Sequence, residues 1–547
     1  MDANFELGVQ NHDSFVDASR NFTVGDLVRK SARMYGDDVA VKTKDEEITY
    51  DELNDRVNRL ANGLLEMGVT PNETTIAMLA ENRAEIIVLY YASAKLGTLT
   101  AALNWRIEKT ELTHCIDLVE ADYIMASDRF EEKRRWATDD SDAQPEYLAF
   151  DDTDESDDTV SYQKLLEMGD TSEPLEPGSV DPEQGLVVLY TSGTTGMPKG
   201  AVISHRAWMA RAYKTITDFE LNKGSSEFAW SPMCHIVTAD WLPTTAILGG
   251  TFYPIDGFDP ERIVEILKED GEAISWFVLL PGTISTFFDY MEESGTSVDE
   301  FREIRHIGGL VDLVDPKKVK RVTERFDMPF INSYGSTEIG HGTSGGHHIQ
   351  PGVHPKTEDL SKIESTWTDA KLIDESWNEV DEGDVGELAV RGPALCSGYI
   401  NNPEANESDF NDGWFRTGDM FERRDDGMLD FINRRKYLIK SGGENIYPAE
   451  IEDILLENEL VEDAIAVRVD DEKWGEVPRV IVSSTQPDEL DKDELMAMLE
   501  DRIANYKLPN YLEIVSPEDL PRSTTGKIVR EDVESWEVSE DSRVRQV

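Results

Sequence analysis

An eleven-residue loop, Tyr190–Gly200, lies between two short apolar segments and restricts the folds that this chain can adopt. Gly185–Leu189 before it and Ala201–Ile203 after it are predicted strands, and Ser204 suits a helix N-cap. The loop reads Tyr-Thr-Ser-Gly-Thr-Thr-Gly-Met-Pro-Lys-Gly. Its glycines allow close approach of backbone N–H groups, its hydroxyls add donors, and Lys199 adds a positive charge. The pattern therefore predicts an oligophosphate-binding loop between two strands.

This loop differs from the common phosphate loop, which requires Gly, four residues, and then Gly-Lys-Ser/Thr. Here Pro198 precedes the lysine, and Gly200 occupies the position of the hydroxyl residue. A plain surface turn is the alternative interpretation, but ordinary turns rarely combine such a loop with strands on both sides. The residues expected to bind phosphate are Thr191, Ser192, Gly193, Thr194, Thr195, Gly196 and Lys199.

Length and charge narrow the class of protein. A chain of 547 residues is too long for one core, so two or more domains are expected. The chain has 111 acidic and 53 basic residues, which argues against a general nucleic-acid binder and against adhesion to anionic membranes. Such an excess repels itself at low salt, so we expect a cytoplasmic protein from a salt-accumulating organism. Three widely separated cysteines give neither a disulfide framework nor a metal-binding spacing.

Strands and helices alternate along the first part of the chain. Thr49–Glu52 forms a capping-box pattern before a helix that ends at Gly68, and Thr74–Leu79 reads as a strand. Asn82 is expected to cap the next helix, which runs to Gly97. The pattern predicts a layered α/β body. Further elements are expected as a helix from Asp259-Pro260, a strand Ile274–Leu280 ended by Pro281-Gly282, and strands Arg305–Ile307 and Pro329–Asn332.

The pattern changes near Arg434, where a smaller αββα-like unit is expected to begin. Its predicted elements are a helix Ala449–Leu456, strands Ala464–Val469 and Val480–Ser484, a helix Asp493–Tyr506 and a strand Tyr511–Val515. The fold class is therefore α/β, with a large multi-sheet α/β N-terminal domain over 1–433 and a small α+β C-terminal lid domain over 434–547.

Two further motifs carry groups that suit a nucleotide. In Tyr334-Gly335-Ser336-Thr337-Glu338, the aromatic ring can stack on adenine, Thr337 can donate to a phosphate, and Glu338 can hold Mg²⁺ as a hard oxygen ligand. In Gly413–Asp419, the carboxylate of Asp419 can accept two hydrogen bonds from a ribose diol. A turn aspartate that caps its own backbone explains Asp419 equally well.

Together, the loop and these motifs resemble the adenylate-forming superfamily of acyl-CoA synthetases, adenylation domains and beetle luciferases, over roughly residues 25–535. The resemblance implies that Arg434 is a second ribose contact. It also implies that Lys527, in Pro521–Lys527, contacts the carboxylate and the α-phosphate during adenylation. Lys436 matches the hinge position, and the loop Lys440–Tyr447, with Lys440, Gly442 and Gly443, matches the thiolation loop.

The resemblance also places two stretches beside the acyl group, and both depart from the common family pattern. Gly308-Gly309-Leu310-Val311-Asp312 replaces a frequent Gly-Gly-Ala-Pro, and Met233-Cys234-His235 has a cysteine where an aromatic residue is frequent. Gly309 and His235 are nevertheless expected at the site, with His235 beside the carboxylate. A satisfied core histidine is the alternative interpretation of His235.

These features predict an acyl-CoA synthetase that joins a carboxylic acid to CoA through an acyl-adenylate, using ATP and Mg²⁺ and releasing AMP and pyrophosphate. The acid is expected to be apolar, a medium- or long-chain fatty acid or an aryl-type acid. Three rivals remain: an enzyme that loads a carrier-protein thiol, a luciferase-type oxidase and a non-catalytic nucleotide-binding regulator. No nucleic acid and no transmembrane segment is expected among the partners, and a homodimer is left open.

Overall fold

The predicted phosphate loop joins two adjacent strands at the edge of a seven-stranded sheet. In the computed structural model of the chain, the described residues are 21–152, 159–176, 178–191, 197–269, 271–279, 281–309, 316–341, 348–356, 359–441, 444–471, 473–500, 502–522 and 528–545. In spatial order, the strands of this sheet are Val160–Ser161, Glu146–Ala149, Tyr123–Ala126, Thr75–Leu79, Leu99–Ala102, Gly185–Thr191 and Lys199–Ser204. All neighbours run parallel except the last pair, in which Thr191 faces Lys199. The strands expected on both sides of the loop are confirmed.

Smaller sheets complete the large domain. One contains Glu227–Ala229, Phe252–Pro254, Val39–Lys42 and Glu47–Thr49, and the next contains Ile274–Val278, Ile304–Gly309, Phe330–Asn332 and His348–Ile349. Gly335–Ser336 and Gly340–His341 form a short hairpin. An antiparallel sheet follows, made of Asp369–Ile373, Val385–Arg391, Trp414–Arg423, Phe410–Asn411 and Leu429–Arg434. The layered α/β architecture is therefore confirmed.

Helices cover these sheets and begin where the local sequence supplies caps. In the large domain they are Val24–Tyr35, Tyr50–Met67, Ala84–Leu96, Lys109–Leu118, Glu131–Asp139, Tyr162–Met168, His205–Asp218, Ile236–Ala239, Trp241–Leu248, Pro260–Lys268, Pro281–Ser294, Pro316–Phe326 and Pro403–Asp409. Thr49 and Glu52 form the expected capping box, and Gly68 ends that helix with a φ of 103°. Ser204 caps the helix after the phosphate loop, as predicted. Within the described ranges, no helix is both long and apolar enough to cross a membrane.

Asn82 does not cap the helix that follows it, so that prediction is wrong. The N-cap position belongs to Arg83, and the helix begins at Ala84. The Asn82 side chain instead points into the protein, where its oxygen accepts from the Met233 backbone N–H at 2.7 Å. Its nitrogen donates to the backbone carbonyls of Ala229, Ser231 and Ile255. Long-range backbone partners therefore replace the local cap, and the segment that precedes His235 is anchored to the sheet.

Other boundaries also differ from the prediction. The strand expected over Ile274–Leu280 ends at Val278, and Pro281 begins a helix, which agrees with the preference of proline for a first helical turn. The helix expected over Asp493–Tyr506 ends at Glu500. A short 3₁₀ turn, Asn505–Lys507, follows it.

The last part of the chain forms a separate domain with its own core. Its sheet contains Glu444–Ile446, Ile439–Ser441, Gly475–Ser483, Asp463–Asp471 and Tyr511–Val515, and its helices are Pro448–Leu455, Lys492–Glu500 and Arg530–Glu534. Its main apolar cluster begins at Ile439, whereas the buried members of the large-domain cluster end at Leu429. The predicted small α+β domain is therefore present.

Candidate active site

Tyr334 and Asp419 are 85 residues apart in the chain and contact each other directly. The Tyr334 hydroxyl donates to Oδ2 of Asp419 at 2.6 Å, and its ring packs edge-on against Phe421. Burial, together with the charge of Asp419, raises the pKa of Tyr334 well above its ordinary value, so this hydroxyl remains a donor. The motif after the strand Phe330–Asn332 and the motif at Gly413–Asp419 therefore meet at one place.

Arg434 lies beside Asp419 because the two residues are partners on neighbouring antiparallel strands. Its Nε is 3.0 Å from Oδ1 of Asp419, and the carboxylate raises the pKa of Arg434. The side chain of Asp419 is 3% exposed, whereas that of Arg434 is 44% exposed. The structure thus brings together the two residues predicted to contact ribose, while that role itself stays a prediction.

Both carboxylate oxygens of Glu338 accept a hydrogen bond from a neighbouring hydroxyl. Ser336 Oγ donates to Oε2 at 2.7 Å, and the Tyr399 hydroxyl donates to Oε1 at 2.7 Å. Each carboxylate oxygen has a further lone pair, so the group can still coordinate a metal ion. Mg²⁺ is commonly held by one or two carboxylates together with substrate phosphates and water. Among the described residues, no group of three or more His, Cys, Asp or Glu is placed to hold a metal ion by itself, and the role of Glu338 as a Mg²⁺ ligand stays a prediction.

Lys199 extends from the strand after the phosphate loop toward an acidic and aromatic pair. Its Nζ lies 3.0 Å from Oδ2 of Asp409 and 4.7 Å from the ring centroid of Tyr399. On the other side, His114 Nε2 is 3.0 Å from the carbonyl oxygen of Pro198. Pro198 and Lys199, at the end of the loop, are therefore both held by side chains from distant segments. Asp409, Tyr399 and His114 were not predicted, because each reaches the loop from a distant segment.

Arg211 is a buried cation that holds the backbone of the Tyr334–Glu338 motif. Its guanidinium donates to the carbonyl of Glu338 at 2.8 Å and of Thr337 at 3.1 Å, and to Ala394 at 2.9 Å. Lys214, one turn later, donates to the Ile339 carbonyl at 3.2 Å. Arg211 was missed, although a sequence signal exists. The helix His205–Asp218 carries two cations among the small and apolar residues of its buried face.

An acidic side chain accompanies these two cations beneath the motif. Asp240 lies 3.7 Å from Arg211, and neither residue is exposed. Burial raises the pKa of Asp240 to about 6 and lowers that of Lys214 to about 7. Gly340 packs directly on this group, because a Cβ there would lie 3.0 Å from both Arg211 and Asp240. The motif therefore rests on a buried charged cluster.

His235 and Gly309 lie at strand and helix boundaries, as expected of loop residues. His235 precedes the helix Ile236–Ala239, and burial, followed by the charge of Arg106, lowers its pKa to about 4. The imidazole is therefore neutral near pH 7. Gly309 ends a strand, and a Cβ there would approach the Leu279 carbonyl oxygen to 2.7 Å. Close strand packing explains this glycine, and contact with a substrate stays a prediction for both residues.

The predicted hinge lies between two ion pairs that connect to different parts of the chain. Arg435 Nη1 lies 3.2 Å from Glu387 in the large domain, whereas Lys436 Nζ lies 2.5 Å from Glu531 in the small domain. The backbone N–H of Lys440 donates to Glu476 at 2.7 Å. The other predicted residues, Ser192, Gly193, Thr194, Thr195, Gly196, Gly442, Gly443 and Lys527, lie outside the described residues.

Comparison with known proteins agrees with this geometry. The chain is 31% identical over 503 residues to an indoleacetate–CoA ligase of Aromatoleum aromaticum, covering 90% of this chain and 94% of that protein. It is 30% identical over 508 residues to a 2-succinylbenzoate–CoA ligase of Listeria monocytogenes, covering 92% and 97%. The fold matches that of an o-succinylbenzoate CoA synthetase from Bacillus subtilis in complex with its acyl-adenylate intermediate, with a TM-score of 0.76 and 24% identity, covering 94% and 99%.

Family profiles match both parts of the chain. The profile of the AMP-binding enzyme family matches residues 28–400, and that of the AMP-binding enzyme C-terminal domain matches residues 450–527. The first match includes the phosphate loop and the Tyr334–Glu338 motif, and the second ends at Lys527. The large α/β domain, the separate small domain and the contacts between distant motifs agree with these matches. The chain therefore belongs to the family of AMP-binding enzymes.

Proposed function

We propose that this protein is an ATP-dependent, AMP-forming acid–CoA ligase. It converts a carboxylic acid, ATP and CoA into acyl-CoA, AMP and pyrophosphate. One observation carries the proposal: a continuous set of contacts links Lys199, Tyr399 and Glu338. In the motif that contains Glu338, the Tyr334 hydroxyl donates to Asp419, and Asp419 in turn pairs with Arg434. A cation, a metal-binding carboxylate and a ribose-binding carboxylate are the groups that adenylation requires.

In the first half-reaction, the acid attacks the α-phosphorus of ATP and pyrophosphate leaves. Asp419 accepts hydrogen bonds from the ribose diol through its remaining lone pairs, and Arg434 holds that carboxylate in place. Lys199 faces the phosphates, and Lys527 brings a second cation to the reacting carboxylate and α-phosphate. Mg²⁺, when bound through Glu338, neutralises phosphate charge. The protein thus contributes position and charge rather than covalent chemistry.

In the second half-reaction, the thiol of CoA attacks the acyl-adenylate and AMP leaves. We propose a boundary at 434–436, where the small domain rotates about Lys436 after adenylation. Rotation removes Lys527 from the site and brings the loop Lys440–Tyr447, with Gly442 and Gly443, to the thiol channel. The consecutive ion pairs of Arg435 to the large domain and Lys436 to the small domain support this position.

For the acid, we propose an aryl-type substrate first and a medium- or long-chain fatty acid second. The names of the relatives reported above refer to aromatic acids, which supports the first class. His235, neutral near pH 7, adds no positive charge for a second carboxylate.

Pyrophosphate release with a panel of aryl and fatty acids tests the proposal, with acyl-CoA measured in the same reactions. We expect release with at least one acid and a thioester only when CoA is present. Lys527→Ala should abolish adenylate formation yet leave thiolation of a supplied acyl-adenylate largely intact, whereas Lys492→Ala on the same domain should change neither step. Equal loss of both steps in Lys527→Ala would contradict the two-conformation mechanism.

The same assay separates the rivals. A thioester on a holo-carrier protein, with none on free CoA, would indicate carrier loading, and oxygen-dependent light would indicate a luciferase-type reaction. ATP binding without pyrophosphate release for any acid would favour a non-catalytic regulator.

We also propose a cytoplasmic location, which the three free, buried cysteines support. Light scattering of the same preparation decides between a monomer and a homodimer.

A further inference from the structure

Tyr399 lies between two groups to which the proposed function assigns separate tasks. Its hydroxyl donates to Oε1 of Glu338 at 2.7 Å, and its ring faces the ammonium of Lys199 at 4.7 Å. The residue is 5% exposed, so both contacts are shielded from water. One rigid side chain therefore connects the predicted metal-binding carboxylate to the lysine of the phosphate loop.

The backbone of Tyr399 is fixed on two sides. Beside it, Val202 donates to the Gly398 carbonyl at 2.9 Å, and Ile400 donates to the Gly200 carbonyl at 2.9 Å, so the segment pairs with the strand that carries Lys199. Asn406 closes the other side, because its oxygen accepts from the Tyr399 N–H at 2.7 Å and its nitrogen donates to the Tyr399 carbonyl at 2.8 Å. The hydroxyl thus keeps a fixed position relative to Lys199.

The Tyr399 hydroxyl and the Glu338 carboxylate form a donor–acceptor pair, because a carboxylate oxygen accepts and a hydroxyl donates. A neutral tyrosine can only donate to the carboxylate at this contact, and the donated bond fixes the rotation of the Glu338 side chain. Ser336 fixes the second oxygen in the same way. Glu338 therefore has one orientation before any ligand arrives.

We infer that Tyr399 is a positioning residue that holds the Glu338 carboxylate and the Lys199 ammonium at a fixed separation, so that metal ion and lysine bind the same triphosphate. This inference rests on the proposed function. In this inference, Tyr399 acts through its contacts with Glu338 and Lys199. Hydrogen-bond partners of metal ligands typically affect metal affinity by about 10–100-fold.

Calorimetric titration of ATP, with Mg²⁺ and separately with EDTA, tests the hydroxyl. Tyr399→Phe removes that hydroxyl and keeps the ring. We expect it to weaken MgATP binding about tenfold or more and to leave ATP binding in EDTA unchanged. On a Glu338→Gln background, the same substitution should add no further loss, because its partner is already altered.

The matched control is Tyr50→Phe, which removes a buried hydroxyl that donates to the Gly250 carbonyl at 2.7 Å in another part of the large domain. It should lower thermal stability and leave both ATP titrations unchanged. Tyr399→Leu tests the ring. Because Lys199 then loses the aromatic face, ATP binding should weaken in EDTA as well, and this extra loss should vanish on a Lys199→Met background.

Two results would overturn the inference. The first is wild-type MgATP affinity in folded Tyr399→Phe, and the second is a loss of MgATP affinity from Tyr399→Phe that is equally large on the Glu338→Gln background. If Tyr399→Phe does not fold, Asn406→Ala replaces it, because this change removes the two hydrogen bonds to the Tyr399 backbone and keeps the hydroxyl. Unchanged MgATP affinity in Asn406→Ala would then overturn the inference. Failure of the proposed function is distinguishable, because the wild type would then bind MgATP without releasing pyrophosphate for any acid. A wild type that binds no ATP would refute both.

Discussion

Replacing Arg211 by methionine tests whether the buried cation beneath the Tyr334–Glu338 motif holds that motif in place. The guanidinium makes three hydrogen bonds to backbone carbonyls and lies 3.7 Å from the buried Asp240. Hydrogen bonds from a charged donor contribute about 1.5–3 kcal/mol each. Removing one partner of a buried ion pair costs about 3–5 kcal/mol, because the other charge is left uncompensated. These terms describe the same loss and are not summed, so we expect Arg211→Met to lower the free energy of unfolding by about 3–5 kcal/mol.

Urea denaturation of the large domain, monitored by tryptophan fluorescence, measures this decrease in the free energy of unfolding. The matched control is Arg135→Met, which removes a surface ion pair with Glu131 and should cost at most about 1 kcal/mol. Arg211→Lys keeps the charge but loses the planar fork, so it should retain part of the stability and still weaken MgATP binding. If Arg211→Met unfolds at the same urea concentration as Arg135→Met, the buried cation does not hold the motif and the reasoning fails.

Three further predictions concern pH, salt and the hinge. Burial lowers the pKa of His205 from 6.5 to about 4, so the unfolded chain binds more protons between these values and stability falls as the pH drops through that window. Because of His205, the free energy of unfolding measured with urea should fall by about 2 kcal/mol between pH 7 and pH 5. His205→Gln should remove this part of the pH dependence. With a net charge of -58, the thermal unfolding midpoint should rise with KCl, and a midpoint that does not rise would contradict the salt-adapted interpretation. Lys436→Pro should allow pyrophosphate release yet block acyl-CoA formation, and equal loss of both would contradict the hinge assignment.

Much of the fold was predictable because its signals are local. The capping box at Thr49–Glu52, the C-terminal Gly68 and the strands around the phosphate loop each depend on residues that are close in sequence. The two motifs that contain Tyr334 and Asp419 are also local, but their residue types only suit a nucleotide, and the resemblance to a known family decided their interpretation. Their contact at 2.6 Å, however, depends on the packing of two different sheets. Sequence reasoning therefore identified these groups, and the structure supplied their arrangement.

Residues that act through long-range contacts were missed or misread. Asn82 is a residue type that often caps a helix, but its side chain forms hydrogen bonds with backbone groups more than a hundred residues away instead. Tyr399 reaches Glu338 across 61 residues, and Arg211 reaches it across 127. Such residues position the motifs rather than form them. Their partners are mostly backbone carbonyls or single carboxylates, so even where a cation stands out on a buried helix face, as Arg211 does, the sequence does not show what it contacts.

Arg435 and Lys436, the neighbouring cations at the predicted hinge, form ion pairs that contribute differently to stability. Arg435 pairs with Glu387, whose carboxylate is 3% exposed and also contacts Arg416, so losing the Arg435 pair would leave this buried charge with one cation instead of two. Lys436 pairs with Glu531, which is 56% exposed, and such pairs contribute about 0–1 kcal/mol. A rotation that begins after Arg435 keeps the contact of Arg435 with the large domain, and Lys436 moves together with Glu531, so neither ion pair has to break. The small domain can therefore move at little cost in ion pairing, which is what alternation between two half-reactions requires.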